Sequence, residues 1–236
     1  MGTDATRPRL VLWDIDHTLI ETRGVGGKLA RAAFAEITGR TVEQMADATG
    51  KTEPVILAET LKSYGMEPSD EYERQFAHAL PEQYRRHADE LRQVGEVLPG
   101  AAEALAALGL IPGVVQTVLT GNYSGVARIK LAAFGLDSGL DLDIGAYAED
   151  ASDRAALVPI AQKRATERYG HAFTRDNTLI IGDTTHDVAA AHSGGAAIVA
   201  VATGNDSAED LRRCGADVVL ADLTDTPSLL QHVMTL

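Results

Sequence analysis

The chain has one cysteine, Cys214, among its 236 residues, so it can form no internal disulfide and a reducing, cytoplasmic setting is expected. It has no apolar run near the roughly 20 residues that cross a bilayer, which excludes a helical membrane span. The stretch from Met1 to Arg9 is polar, contains Pro8 and has no apolar segment after its charges, so no secretory signal is expected. Basic residues are scarce: 21 Lys and Arg against 34 Asp and Glu leave a formal charge of -13. Such a surface disfavours nucleic acid and anionic membranes as partners. It does not disfavour a small anionic ligand, because a bound divalent cation inverts the field inside a site. Internal repeats, low-complexity tracts, long linkers and a Cys/His metal quartet are missing as well.

What is present is an alternation. Short β-like runs at Leu10–Trp13, Val114–Leu119, Thr178–Ile181, Ala196–Val201 and Asp217–Leu220 are separated by helical patterns, the signature of βα units on a mostly parallel sheet. The helix expected over about Asp153 to Tyr169 places Leu157, Ile160, Ala161 and Ala165 on one face. The first connection is too long for a simple crossover. From Glu21 to Leu98 the chain reads as helix after helix, with stripes at Ala30, Ala33, Phe34 and Ile37 and at Leu57, Thr60, Leu61 and Tyr64, terminated by Gly39 and Gly65. Ser69 and Asp70 open a further helix that Pro81 is expected to kink or interrupt, and Pro99-Gly100 returns the chain to the α/β pattern. The expected fold class is therefore α/β, a Rossmann-like parallel sheet core made by 1–20 and 99–236 with an α-helical cap domain inserted at 21–98. The alternative is a large helical excursion on the same core.

Two of these strands end in acids. Asp14-Ile15-Asp16-His17-Thr18-Leu19 follows the first, and Gly182-Asp183-Thr184-Thr185-His186-Asp187 follows the third. Ligands of open α/β sheets bind outside the carboxyl ends of the strands, so the two segments converge on one place. Thr120 ends the second strand, and Gly121-Asn122 follows it, where the next helix is expected to offer free backbone N–H groups to an anion.

These ordered segments, from Asp14 to Asp187, resemble the haloacid dehalogenase-like superfamily of phosphohydrolases, in particular its phosphoglycolate phosphatase-like members with a helical cap. The resemblance implies hydrolysis of small-molecule phosphate monoesters through an aspartyl-phosphate. Asp14 would be the nucleophile, and Asp16 the residue that protonates the leaving alcohol and deprotonates the attacking water. Thr120 would bind a phosphoryl oxygen. Mg²⁺ would sit among Asp14, the main-chain carbonyl of Asp16 and Asp183, with Asp187 behind them. The family's cation, commonly a lysine, has two candidates here: Arg154 at a helix start, which suits forked contacts to phosphate, and Lys163 further along. Gly24-Val25-Gly26-Gly27-Lys28 and Thr49-Gly50-Lys51-Thr52-Glu53 resemble the substrate-facing cap loops, with Gly50, Lys51 and Lys28 as candidate substrate contacts. Gly50-Lys51-Thr52 is not a P-loop, since Met45 stands where its leading glycine belongs.

Several readings stay open. His17, where the family often has glycine, and His186 are either ligands of a softer metal or spacers. The phospho-aspartate chemistry serves a phosphomutase as well as a phosphatase, and a non-catalytic ligand-binding protein is built on the same fold. Asp16 argues against a true dehalogenase or a C–P hydrolase. The partner implied is a small phosphorylated metabolite.

Overall fold

The computed structural model describes residues 8–236; the polar segment 1–7, which carries most of the expectation about a secretory signal, lies outside them. The chain starts on β1 (Arg9–Trp13) and turns back through the short β2 (Ile20–Glu21). It then runs through α1 (Val25–Thr38), α2 (Glu53–Ser63), α3 (Asp70–Arg86) and α4 (Ala88–Val94) before β3 (Glu96–Val97) pairs antiparallel with β2. After this come α5 (Ala101–Gly109), β4 (Val114–Val118), α6 (Ser124–Ala133), α7 (Arg154–Tyr169), β5 (Thr178–Gly182) and α8 (Thr185–Gly194). The chain finishes through β6 (Ala197–Val201), α9 (Ala208–Arg213), β7 (Val218–Leu220) and α10 (Thr226–Thr235).

The main sheet is wholly parallel in the order β4-β1-β5-β6-β7. Its strands read as continuous apolar runs because both faces are covered, as parallel sheets require. The two-residue period sorts their side chains. Val11, Trp13, Leu179, Ile181, Val199 and Val201 face one way, against Ala101 and Leu105 of α5, Leu131 of α6 and Leu229 of α10. Leu10, Leu12, Ile180, Ile198 and Ala200 face the other way, against Leu157 of α7, Val188 of α8 and Leu211 of α9. Trp13 satisfies its indole N–H by donating to Gln116 Oε1 at 3.0 Å, which avoids the roughly 1–3 kcal/mol cost of an unpaired buried donor.

The four inserted helices bury a separate cluster, including Leu29, Phe34, Leu61, Phe76, Leu80 and Leu91, which also takes in Tyr123 and Val126 from the sheet side. Pro81 does not interrupt α3, which is continuous from Asp70 to Arg86. The ring is buried and lies against Gly125 of α6, so packing offsets the hydrogen bond that a helical proline forfeits. The β2–β3 ribbon, where the chain leaves the sheet and returns, goes beyond the sequence expectation. Two-residue strands carry too little periodicity to be read. Among the described residues no helix is long and apolar enough to cross a membrane.

Candidate active site

The sheet order puts β1 between β4 and β5, so the residues following these three adjacent strands share one crevice. Asp14, Asp16, Thr120 and Asp183 all line a cavity of about 350 Å³ there. Asp14 is buried, and its Oδ1 lies 2.7 Å from Arg154 Nη2, which also reaches Asp187 Oδ1 at 2.6 Å. Arg154 gets there because Asp153 caps α7, accepting from the Ala155 N–H at 3.0 Å and fixing where the helix starts. Lys163, the rival cation, is exposed, its ammonium is 3.9 Å from Glu167, and it is outside the cavity lining.

Asp14, Asp183 and Asp187 each bring one carboxylate oxygen within 4.8 Å of the others. They are not equivalent. Asp187 accepts from the Thr184 N–H and hydroxyl on Oδ2 and from Arg154 on Oδ1, in a capping box at the start of α8. Both its oxygens are engaged, so it orients Arg154 and caps the helix. Asp183 accepts from the Thr18 hydroxyl on Oδ1 at 3.0 Å, while its buried Oδ2 has no hydrogen-bond partner. Burial, and then the Asp14 and Asp187 carboxylates, push Asp183 up to about 9. Burial also raises Asp14, with Arg154 opposing and Asp187 and Asp16 adding. A buried oxygen with no partner among hard carboxylates fits a cation such as Mg²⁺. Neither histidine belongs to the group. His17 sits at φ +59°, a conformation that glycine adopts without strain, with its Nδ1 2.7 Å from Glu21.

Asp16 is held by groups that the sequence reading did not identify. Lys130 Nζ donates to Asp16 Oδ1 and Oδ2 at 2.8 and 2.7 Å and to Asn122 Oδ1 at 2.7 Å, and it sits 5.3 Å from the centre of the Tyr84 ring on α3. Burial acts to raise the Asp16 carboxyl, but the Lys130 ammonium and the Asn122 amide outweigh it and hold it below its ordinary value. The signal for Lys130 was available: it lies on the buried stripe of α6 with Val126, Ala127 and Leu131, and a lysine on an apolar face is rarely buried without a partner.

Thr120 is fully buried, and its hydroxyl accepts from the Asn122 N–H at 3.2 Å and the Asn122 amide at 2.8 Å. Its own proton has no acceptor among the described residues and is available to a ligand oxygen. Asn122, expected to contact substrate, lines the cavity and has its amide engaged with Asp16, Thr120 and Lys130. At Gly121-Asn122, where free N–H groups are expected, both residues line the cavity; the Asn122 N–H goes to the Thr120 hydroxyl, whereas the Gly121 N–H has no hydrogen-bond partner among the described residues. α6 begins at Ser124, and the Tyr123 and Ser124 N–H groups are taken by the Glu53 and Glu149 carboxylates.

The inserted loop lies directly on this crevice. Gly50 is at φ +64°, and a Cβ there would come within 2.3 Å of the His186 ring; one on Gly121 would come within 2.3 Å of the Lys51 carbonyl. Glu53 N–H donates to the Gly121 carbonyl at 2.8 Å. Gly50 and Lys51 line the cavity, with Lys51 paired to Glu59 at 2.7 Å. Lys28 is outside the cavity lining and is paired with Glu90 at 2.7 Å.

Comparison with known proteins agrees with this geometry. A phosphoglycolate phosphatase of Rhodospirillum rubrum is 27% identical over 223 residues, covering 91% of this chain and 88% of that protein. Among solved structures, a hydrolase from Pseudomonas syringae superposes with a TM-score of 0.69 at 23% identity, over 95% of this chain and 99% of that one. A putative beta-phosphoglucomutase from Bacteroides vulgatus superposes with a TM-score of 0.70 at 18% identity, over 98% and 91% of the two chains. Residues 11–192 match the model of the haloacid dehalogenase-like hydrolases, and with the acids of β1 and β5 falling inside that span, the chain belongs to that family.

Proposed function

We propose that the protein hydrolyses small-molecule phosphate monoesters through an aspartyl-phosphate on Asp14, with Mg²⁺ as cofactor, in the cytoplasm. The observation that carries this reading is the convergence at three adjacent strand ends of a buried Asp14 held by Arg154, an Asp183 oxygen without a partner, and a Thr120 hydroxyl with its proton free.

In this reading Arg154 does two things. It aims one Asp14 oxygen, leaving the other for in-line attack on phosphorus, and it supplies positive charge next to the entering phosphoryl group. Thr120 donates to a phosphoryl oxygen. Asp14 attacks, the ester P–O bond breaks, and the leaving alcohol takes a proton from Asp16. Water then attacks phosphorus, gives its proton to Asp16, and frees Asp14. As it sits, Asp16 is ionised by Lys130 and ready for the second step. Serving the first step requires a proton on an oxygen that Lys130 now holds, so that contact must loosen within each cycle. Mg²⁺ would be held by Asp14, Asp183 and the main-chain carbonyl of Asp16, and when bound it neutralises charge on the carboxylates and the phosphate. Segment 21–98 acts as a cap domain over the core formed by 1–20 and 99–236, hinged at the β2–β3 ribbon, sheltering the phospho-aspartate from bulk water.

Phosphate release from a panel of phosphorylated metabolites, with and without Mg²⁺, tests the reading. Magnesium-dependent release supports it, and full activity after exhaustive chelation contradicts the metal assignment. A stability measurement adds an independent check. Because Asp183 is raised from 3.8 to about 9 on folding, the folded protein holds that proton more tightly than the unfolded chain. The metal-free fold therefore loses stability as pH rises across that interval. Mg²⁺ should raise Tm, and by more at pH 8 than at pH 6. Asp183→Asn should raise the metal-free Tm at pH 8 and abolish the magnesium increment. An undiminished increment in that variant would remove Asp183 from the metal site.

A further inference from the structure

The charges lining the cavity are unevenly matched. Each of its cations already faces a carboxylate: Arg154 has Asp14 and Asp187, Lys130 has Asp16, Lys51 has Glu59 and His17 has Glu21. Lys130 is further committed, because its three protons go to Asp16 Oδ1, Asp16 Oδ2 and Asn122 Oδ1. On the cap side the lining acid Glu53 has no cationic partner within salt-bridge distance among the described residues. Glu53 is the first residue of α2, and its Oε2 accepts from the Tyr123 N–H at 2.6 Å. Its Oε1 has no hydrogen-bond partner among the described residues. Burial pushes this carboxyl up to about 8, with Lys130 opposing, as befits an acid without its own counter-charge. Asp47, also lining the cavity and without a salt-bridge partner, adds a second negative group. Around them Met45, Ile56, Phe76 and Leu80 supply an apolar wall.

A substrate whose leaving group ends in a carboxylate would bring a second negative charge beside Asp47, would further disfavour ionisation of Glu53, and would find no uncommitted cation there. A protonated amine would find Glu53 Oε1 waiting and would restore the ionised carboxylate. We infer that Glu53 is a specificity determinant, and that the substrate is the phosphate ester of an alcohol bearing an amino group rather than a carboxylate. The inference rests on the phosphatase reading above. It departs from the substrate named for the Rhodospirillum rubrum relative.

Three esters with two-carbon leaving groups isolate the charge: 2-aminoethyl phosphate, 2-hydroxyethyl phosphate and 2-phosphoglycolate. With the full chain and Mg²⁺, kcat/KM should fall in that order, by about tenfold or more from first to last. Glu53→Gln keeps an acceptor for the Tyr123 N–H while removing the charge, and should cut the amine-to-carboxylate ratio by at least about tenfold. Equal or better turnover of 2-phosphoglycolate by the wild type overturns the inference, as does an unchanged ratio in Glu53→Gln. Turnover of p-nitrophenyl phosphate reports on the phosphatase reading separately. The thermal shift of Asp14→Asn with the same three esters ranks binding without turnover: the same order supports the charge rule and the reverse order overturns it, even if no ester is hydrolysed.

Discussion

Asp14→Asn is expected to lose turnover by about ten-thousandfold or more, with the Tm changed by no more than a few degrees. The amide is nearly isosteric with the carboxylate and still offers Arg154 an oxygen, so the fold around β1 persists. What disappears is the nucleophile. An amide oxygen does not form an acyl phosphate at a useful rate, and the neighbouring carboxylates have other work: Asp187 has both oxygens engaged, Asp16 is held by Lys130 and Asn122, and the free oxygen of Asp183 is assigned to the metal. A loss of that size corresponds to about 5.5 kcal/mol of activation free energy. Asp16→Asn separates the two half-reactions, because it keeps the nucleophile and removes the proton carrier. It should still form phosphoenzyme and release phosphate slowly. Near-normal multiple turnover by Asp14→Asn would rule out covalent catalysis at this residue.

Lys130→Met is expected to lower kcat by about 10- to 100-fold, or roughly 1.4–2.7 kcal/mol, while KM changes by only a few-fold. Methionine keeps much of the apolar stem and volume between α6 and α3 but removes the ammonium that fixes Asp16. Burial then acts on Asp16 without its principal opponent, so the Asp16 carboxyl should titrate higher. The acidic limb of the kcat profile should move up with it, since the ionised form takes the proton from water. A merely structural lysine would alter Tm and leave that limb in place. An unchanged kcat and an unmoved limb would show that Lys130 does not govern Asp16. The contact with the Tyr84 ring gives the pair a further consequence: the residue that holds Asp16 touches the inserted helices, so moving them changes the environment of the proton carrier.

The sheet was legible because its strands are buried on both faces, and Leu10–Trp13 and Thr178–Ile181 are therefore nearly uninterrupted apolar runs ending in acids. The placement of Arg154 was legible for a local reason, since Asp153 marks the helix start and turns the next residue toward the strand ends. Lys163 differs only in being further along the same helix, and the periodicity that exposes it is the same one that buries Leu157 and Ala161. Lys130 was harder, because its meaning depends on which face of α6 meets the sheet and on an acid 114 residues away in sequence. Glu53 was legible only as the end of the substrate-facing segment Thr49–Glu53, and the tertiary fold alone brings its carboxylate to the N-terminus of a different helix, α6. That long-range capping occupies the first N–H groups of α6 and leaves the Gly121 N–H, within the expected Gly121-Asn122 segment, without a partner among the described residues. Pro81 was read by its local cost, whereas the burial of its ring against α6 decided the outcome.

The central claim is that the phosphoryl group passes through Asp14. Rapid quenching of the wild-type enzyme during turnover, followed by borohydride reduction, converts an aspartyl phosphate to homoserine at the residue that carried it. Peptide mass mapping should find homoserine at position 14, more abundant in Asp16→Asn and absent in Asp14→Asn. No homoserine at position 14 under conditions of active turnover, or its appearance at Asp183 or Asp187 instead, would contradict the account.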